Sequence, residues 1–187
     1  MIYAAPYRDY MKDLLIQFKY QGKRELAVPL GKLMALTLLK YLESQEAKFS
    51  LAHLLKPLPY HAVIPVPLHG ERLVERGYNQ SELIGKQICK ELSLPLWQPV
   101  IRNKFTVPLK AQNPEDRAKE LAGAFQLVEM ESQEKYQDDF YHWEEILKKS
   151  RILLIDDIYT TGATVTELAR VLQQAGCEYI TVLATAH

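Results

Sequence analysis

Asp156 and Asp157 stand side by side after four apolar residues, Ile152, Leu153, Leu154 and Ile155, and are followed by Ile158, Tyr159, Thr160, Thr161, Gly162, Ala163 and Thr164. Two carboxylates at the end of an apolar run are good acceptors for a vicinal diol. The Thr/Gly turn behind them aims successive backbone N–H groups at one place, with the Thr160, Thr161 and Thr164 hydroxyls alongside, and so makes an anion site where a helix begins. Gly162 lets the backbone reach that anion with no side chain between. The two halves together suit a sugar phosphate such as a ribose 5-phosphate. Other nucleotide loops do not fit, because neither GxxxxGK[ST] nor GxGxxG occurs in the chain.

These residues need a strand to carry the acids and a helix to carry the loop. Residues 151–156 read as a buried strand, 163–175 as a helix with Val165, Leu168, Ala169 and Leu172 on one face and Gly176 as its stop, and 179–184 as a second strand. Strand, helix and strand in so short a span form a parallel βαβ unit, so the fold class is α/β. Ligands in such sheets bind at the carboxyl ends of the strands, where Asp156 and Asp157 fall. Upstream, residues 62–67 read as another buried strand ending in a stiff Pro65 to Pro67 turn, and 80–92 as a helix.

The N-terminal part has a different rhythm. Tyr7, Tyr10, Met11, Leu14, Leu15 and Phe18 recur at three- and four-residue spacing, so residues 7–19 form an amphipathic helix ended by Gly22, and 26–43 form a second. Residues 1–55 are therefore expected as a helical lobe and 56–187 as the core. Tyr3, Tyr7, Tyr10, Phe18 and Tyr20 fall on or beside the apolar arc and are expected to pack. Arg8, Lys12, Lys19 and Lys23 lie within about 60° of one another on a helical wheel, a stripe that could track a nucleic-acid backbone or simply face water. Within the core, residues 102–123 are long, polar and basic enough to act as a lid, and 129–149 form an acidic, solvated insertion.

Composition narrows the setting. The 187 residues carry 23 Lys and Arg against 23 Asp and Glu, so no bulk field draws the chain to nucleic acid or acidic lipid. Cys89 and Cys177 are the only cysteines and form no CxxC pair, which supports neither a zinc site nor a disulfide framework and fits a reducing cytoplasm. No apolar run approaches a membrane span and the first residues lack a signal-peptide pattern, so membrane insertion is not expected.

The run IDDIYTTGAT, residues 155–164, resembles the phosphoribosyl pyrophosphate (PRPP) signature of type I phosphoribosyltransferases. With FKYQGKRELAVPLG at 18–31, PVPLHGERLVERGYNQSELIGKQI at 65–88 and GAF at 123–125, most of the chain resembles the ComF family of competence-associated, phosphoribosyltransferase-like proteins. The resemblance implies a type I phosphoribosyltransferase-like parallel sheet flanked by helices, with the helical lobe ahead of it. It implies that Asp156 and Asp157 hold the ribose hydroxyls and contact Mg²⁺, and that Thr160, Thr161, Gly162, Ala163 and Thr164 hold the 5-phosphate. The Pro65 to Pro67 turn, with Val66 at its centre, would be the pyrophosphate loop, with Arg72 and Arg76 as nearby cations; a helix face paired with Glu71 and Glu75 is the plainer alternative. The catalytic set would be Asp156, Asp157 and, from the lid, Lys104 and Arg117, with Lys110 beside them.

In the 6-oxopurine enzymes an acid precedes the Thr-Gly of the loop, and Thr160 stands there here, which argues against hypoxanthine or guanine as acceptor. The family usually carries a four-cysteine zinc module before the first helix, and those cysteines are not among these residues. PRPP or a ribose 5-phosphate, with Mg²⁺, is the expected ligand. The competing expectation is a non-catalytic PRPP-binding factor in DNA uptake, with single-stranded DNA and competence proteins as partners. A homodimer is left open.

Overall fold

The computed structural model describes residues 1–45, 57–105, 119–128 and 143–187. Its centre is a four-stranded sheet of β1 (Ile2–Ala5), β2 (Ala62–Pro65), β5 (Arg151–Ile158) and β6 (Tyr179–Ala186), in the order β1-β6-β5-β2 with every pair parallel. Between β1 and β2 lie α1 (Asp9–Tyr20), a 3₁₀ turn (Arg24–Leu26) and α2 (Ala27–Gln45). Then come α3 (Gly70–Arg76), α4 (Gln80–Leu92) and an antiparallel pair, β3 (Val100–Arg102) with β4 (Phe125–Leu127). The short α5 (Trp143–Leu147) precedes β5, and α6 (Ala163–Gln174) crosses from β5 to β6.

The unbroken apolar run of β5 follows from burial on both faces. Successive strand residues point to opposite sides. Leu153 and Ile155 join Val63 and Leu183 under α1, α2 and α4, through Leu15, Phe18, Met34, Leu38, Ile84 and Ile88. Ile152 and Leu154 join Ala62 and Ile64 under α6 and the β3–β4 pair, through Val165, Leu168, Leu172 and Phe125. The α2–α4 contact depends on Gly31, where a Cβ would stand 2.6 Å from Gln87 Cβ.

The α/β class and the parallel sheet stand as expected, and the 80–92 helix has the expected bounds. Several details differ. Residues 1–45 do not form a purely helical lobe: β1 pairs with β6 at the far end of the chain, and α1 and α2 share one core with the sheet. A four-residue edge strand leaves little local pattern when its partner is 181 positions away.

The expected solvated insertion ends in α5, whose Leu147 is fully buried and whose Trp143 packs on Trp97 with ring centroids 6.2 Å apart. Residues 129–142 of that insertion, 46–56 before β2, and 106–118 of the expected lid lie outside the described residues; the described ends of the lid are tied together by β3 and β4. The tyrosines do not pack as expected. Tyr3, Tyr7, Tyr10 and Tyr20 are exposed and only Phe18 is buried: Tyr3 lies on the edge strand β1 and Tyr7 ahead of α1, and on α1 itself the buried arc is the narrower stripe of Leu15 and Phe18. Among the described residues no helix is long and apolar enough to cross a membrane.

Candidate functional site

Asp156 and Asp157 lie near the carboxyl end of β5, which closes with Ile158. Asp157 has the same parity as Leu153 and Ile155 and so faces the α1 side, where Lys19 meets it: Nζ lies 2.9 Å from Oδ2, with side chains only 17% and 12% exposed. A buried ion is costly alone and tolerable only when paired, so each of these groups requires the other. Burial works to lower the pKa of Lys19, yet the attraction and hydrogen bond of Asp157, with Asp156 behind it, hold it above the usual lysine value. Asp156 accepts a hydrogen bond from the Asp157 N–H at 2.9 Å and another from the Ser81 side chain. Burial and the neighbouring Asp157 push Asp156 up to about 7, against the opposing pull of Lys19.

After β5 the chain turns through residues 160–164 into α6. Gly162 is the N-cap with φ +79° and makes no side-chain cap; Thr161 Oγ1 accepts from the Ala163 N–H at 3.5 Å, and the positive end of the helix dipole borders the cleft. The positive φ disfavours any L side chain, and an added Cβ would also strike the Tyr159 phenol. On the opposite wall, Asn79 binds two elements together. Its Nδ2 donates to the Val66 carbonyl at 3.0 Å, fixing the turn after β2, while its Oδ1 accepts from Ser81 N–H at 3.1 Å and caps α4. Two helix N-termini therefore border one cleft of about 330 Å³.

Four cations, Lys19, Arg72, Arg76 and Arg102, and three acids, Asp156, Asp157 and Glu120, line that cleft in a chain of zero formal net charge. Arg72 pairs with Glu75 at 2.5 Å and lies over the Phe105 ring, its guanidinium 5.3 Å from the centroid. Arg76 stacks over Tyr20 at 5.2 Å and donates to Gln80 Oε1 at 3.1 Å, while its Nε is buried with no hydrogen-bond partner among the described residues. Burial lowers the pKa of Arg102, opposed by Asp156 and Glu120.

Asp156, Asp157, Thr160, Thr161, Gly162, Ala163, Thr164, Val66, Arg72 and Arg76 thus border one cleft. Lys104 is exposed and is not among the residues lining it, whereas its neighbour Phe105 is. Arg117 and Lys110 lie outside the described residues. Sequence reasoning missed Lys19, Asn79, Gln80, Ser81 and Arg102. Lys19 was placed on an outward basic stripe, and the stripe fails at that residue, because Lys19 turns inward to Asp157. A lysine flanked by aromatics beside the buried Phe18 was the available signal.

The family model for the phosphoribosyl transferase domain matches residues 85–187, which contain β5, the 160–164 loop and α6. Competence protein F of Haemophilus influenzae is 30% identical over 187 residues, covering 100% of this chain and 72% of that protein. Competence protein ComFC of Bacillus subtilis is 29% identical over 170 residues, covering 91% of this chain and 56% of that protein. Among solved structures, the glutamine PRPP amidotransferase from B. subtilis complexed with ADP and GMP superposes with a TM-score of 0.49 at 14% identity, covering 90% of this chain and 30% of that longer one.

Proposed function

The chain belongs to the phosphoribosyl transferase domain family, in the group of competence protein F and ComFC, and from that premise we propose that its cleft binds PRPP and transfers the phosphoribosyl group to an acceptor. One observation carries this reading: the acid pair near the end of β5 and the Thr160 to Thr164 loop at the N-terminus of α6 border the same cleft. Asp156 and Asp157 accept the ribose hydroxyls, and the loop with Thr160, Thr161, Gly162, Ala163 and Thr164 holds the 5-phosphate. Arg72 and Arg76 on the wall beyond Val66 suit a diphosphate, because a guanidinium meets two oxygens at once.

The residues also bear on Mg²⁺. Among the described residues no three His, Cys, Asp or Glu side chains gather into a metal cage, and Asp157 already carries Lys19. The acid pair therefore fits a Mg²⁺ ion that arrives with most of its oxygens supplied by the diphosphate, the usual manner of Mg²⁺ at phosphate sites. When bound, the ion screens the leaving diphosphate. In the transfer the acceptor's lone pair attacks C1 of the ribose, the C1–oxygen bond breaks, and pyrophosphate leaves with the electron pair. The chain's own work is to fix the sugar at its diol and 5-phosphate, and to stabilise the charge on the leaving group with the cationic wall.

A second reading, a non-catalytic PRPP-binding factor in DNA uptake, is favoured by the names of the relatives. Its basic stripe keeps only Arg8, Lys12 and Lys23. A screen of nucleobases for pyrophosphate release from PRPP and Mg²⁺ separates the two. Turnover that Asp157→Asn abolishes supports the transferase. PRPP binding without turnover, accompanied by salt-sensitive binding of single-stranded DNA, supports the uptake factor. Neither PRPP binding nor turnover would contradict both.

A further inference from the structure

We infer that Lys19, carried by a helix outside the matched transferase segment, is a positioning residue of the phosphoribosyl site: it holds the Asp157 carboxylate where a ribose hydroxyl would meet it. The inference rests on the PRPP reading above. Lys19 Nζ stands 2.9 Å from Asp157 Oδ2, both side chains are largely buried, and both line the cleft. Two adjacent carboxylates repel a phosphorylated sugar. Lys19 supplies the balancing charge from within the protein, and a charge-assisted hydrogen bond fixes the rotamer it joins.

The surrounding contacts are arranged to hold that ammonium in place. Three residues around Lys19, Phe18, Tyr20 and Arg24, meet residues 76–78, where α3 ends and the chain turns toward α4 on the opposite wall. The Phe18 carbonyl accepts from the Tyr78 hydroxyl. The Tyr20 ring lies under the Arg76 guanidinium. Arg24 Nη2 donates to the Gly77 carbonyl at 2.9 Å, and its guanidinium lies 4.8 Å from the Tyr78 ring centroid. Next come Asn79, which pins the Val66 turn, and Gln80, which takes Arg76. The end of α1 is thus clamped to the wall that carries Arg76 and Asn79, and Lys19 is the one residue of this clamp that reaches across to the acid pair. A lysine that only glued α1 to the sheet would need no such registration with the cleft wall.

The test is calorimetry with PRPP and Mg²⁺ on the full chain and on Lys19→Met, Lys19→Arg, Asp157→Asn and the Lys19→Met/Asp157→Asn double variant, with melting temperatures alongside. Losing one charge-assisted hydrogen bond's worth of order at the site corresponds to an affinity loss of about tenfold or more for Lys19→Met. Lys19→Arg keeps affinity within a few-fold of the parent, which a loss of packing alone would not restore. Because Lys19 acts through Asp157, the double variant binds no more weakly than Asp157→Asn.

Should Lys19→Met not fold, the double variant, which removes both charges, and Lys19→Arg carry the same comparison. Parent affinity in Lys19→Met, or a double variant about tenfold weaker than Asp157→Asn, would overturn the inference and leave the PRPP reading standing. A parent that binds no PRPP would overturn that reading and this inference with it.

Discussion

Replacing Asp156 by Asn should make the chain more stable at neutral pH while weakening its ligand binding. Asp156 is pushed from 3.8 to about 7 by burial and by Asp157, so around pH 7 and above the folded state must either hold a proton that the unfolded chain has released or carry a charge that the unfolded chain holds at lower cost. Raising a carboxyl this far costs the charged folded form on the order of 2 to 4 kcal/mol, at about 1.4 kcal/mol for each tenfold change in proton affinity.

The sign follows from proton linkage. The folded carboxyl holds its proton more tightly than the unfolded one, so its contribution is fully present below pH 3.8 and is lost as the pH rises toward about 7. An Asn in its place can keep one acceptor for the Ser81 and Asp157 donors and carries no charge. Urea unfolding of parent and variant at pH 4, 5.5 and 7.5 measures the difference directly. Asp156→Asn should match the parent within about 1 kcal/mol at pH 4 and exceed it by about 2 kcal/mol or more at pH 7.5. A difference that does not change with pH, or one that favours the parent at pH 7.5, would refute the reasoning.

Asp157→Asn should lower PRPP affinity by roughly ten- to a hundred-fold, the worth of one charge-assisted hydrogen bond, and should lower stability because Lys19 is left without its counter-charge; calorimetry and melting curves report the two losses. Gly162→Val should weaken PRPP binding by strain at φ +79° and collision with Tyr159; binding equal to the parent in calorimetry would show that the loop does not meet the ligand. Gly31→Ala should destabilise by about 1 to 3 kcal/mol, because its Cβ would stand 2.6 Å from Gln87 Cβ; a urea midpoint unchanged from the parent would count against the close α2–α4 crossing.

The parts of the site that lie contiguously in sequence were legible there. Ile152 to Thr164 places apolar run, acids, turn and helix start in one uninterrupted segment, and local spacing suffices to read them. What crosses the fold was not legible. Lys19 and Asp157 are 138 positions apart, and a helical wheel of α1 cannot tell an outward lysine from one that meets a carboxylate beneath it. Wheel position misled in the same way for Tyr20, which lies outside the packed arc and under Arg76 instead. Strand β1 escaped because its hydrogen-bond partner, β6, closes the chain. Asn79 and Ser81 stand at the start of α4, where Asn79 caps the helix; that this start borders the cleft depends on the turn at Val66, fixed only in three dimensions.

The central claim, that the edge of β5 and the start of α6 form a phosphoribosyl site, is tested most directly by titrating the parent protein with PRPP in the presence and absence of Mg²⁺ in a calorimeter. Saturable binding of one PRPP per chain is expected, tighter with Mg²⁺ than without and weakened by Gly162→Val and Asp157→Asn alike. No binding at millimolar PRPP, or binding that neither substitution alters, would contradict it.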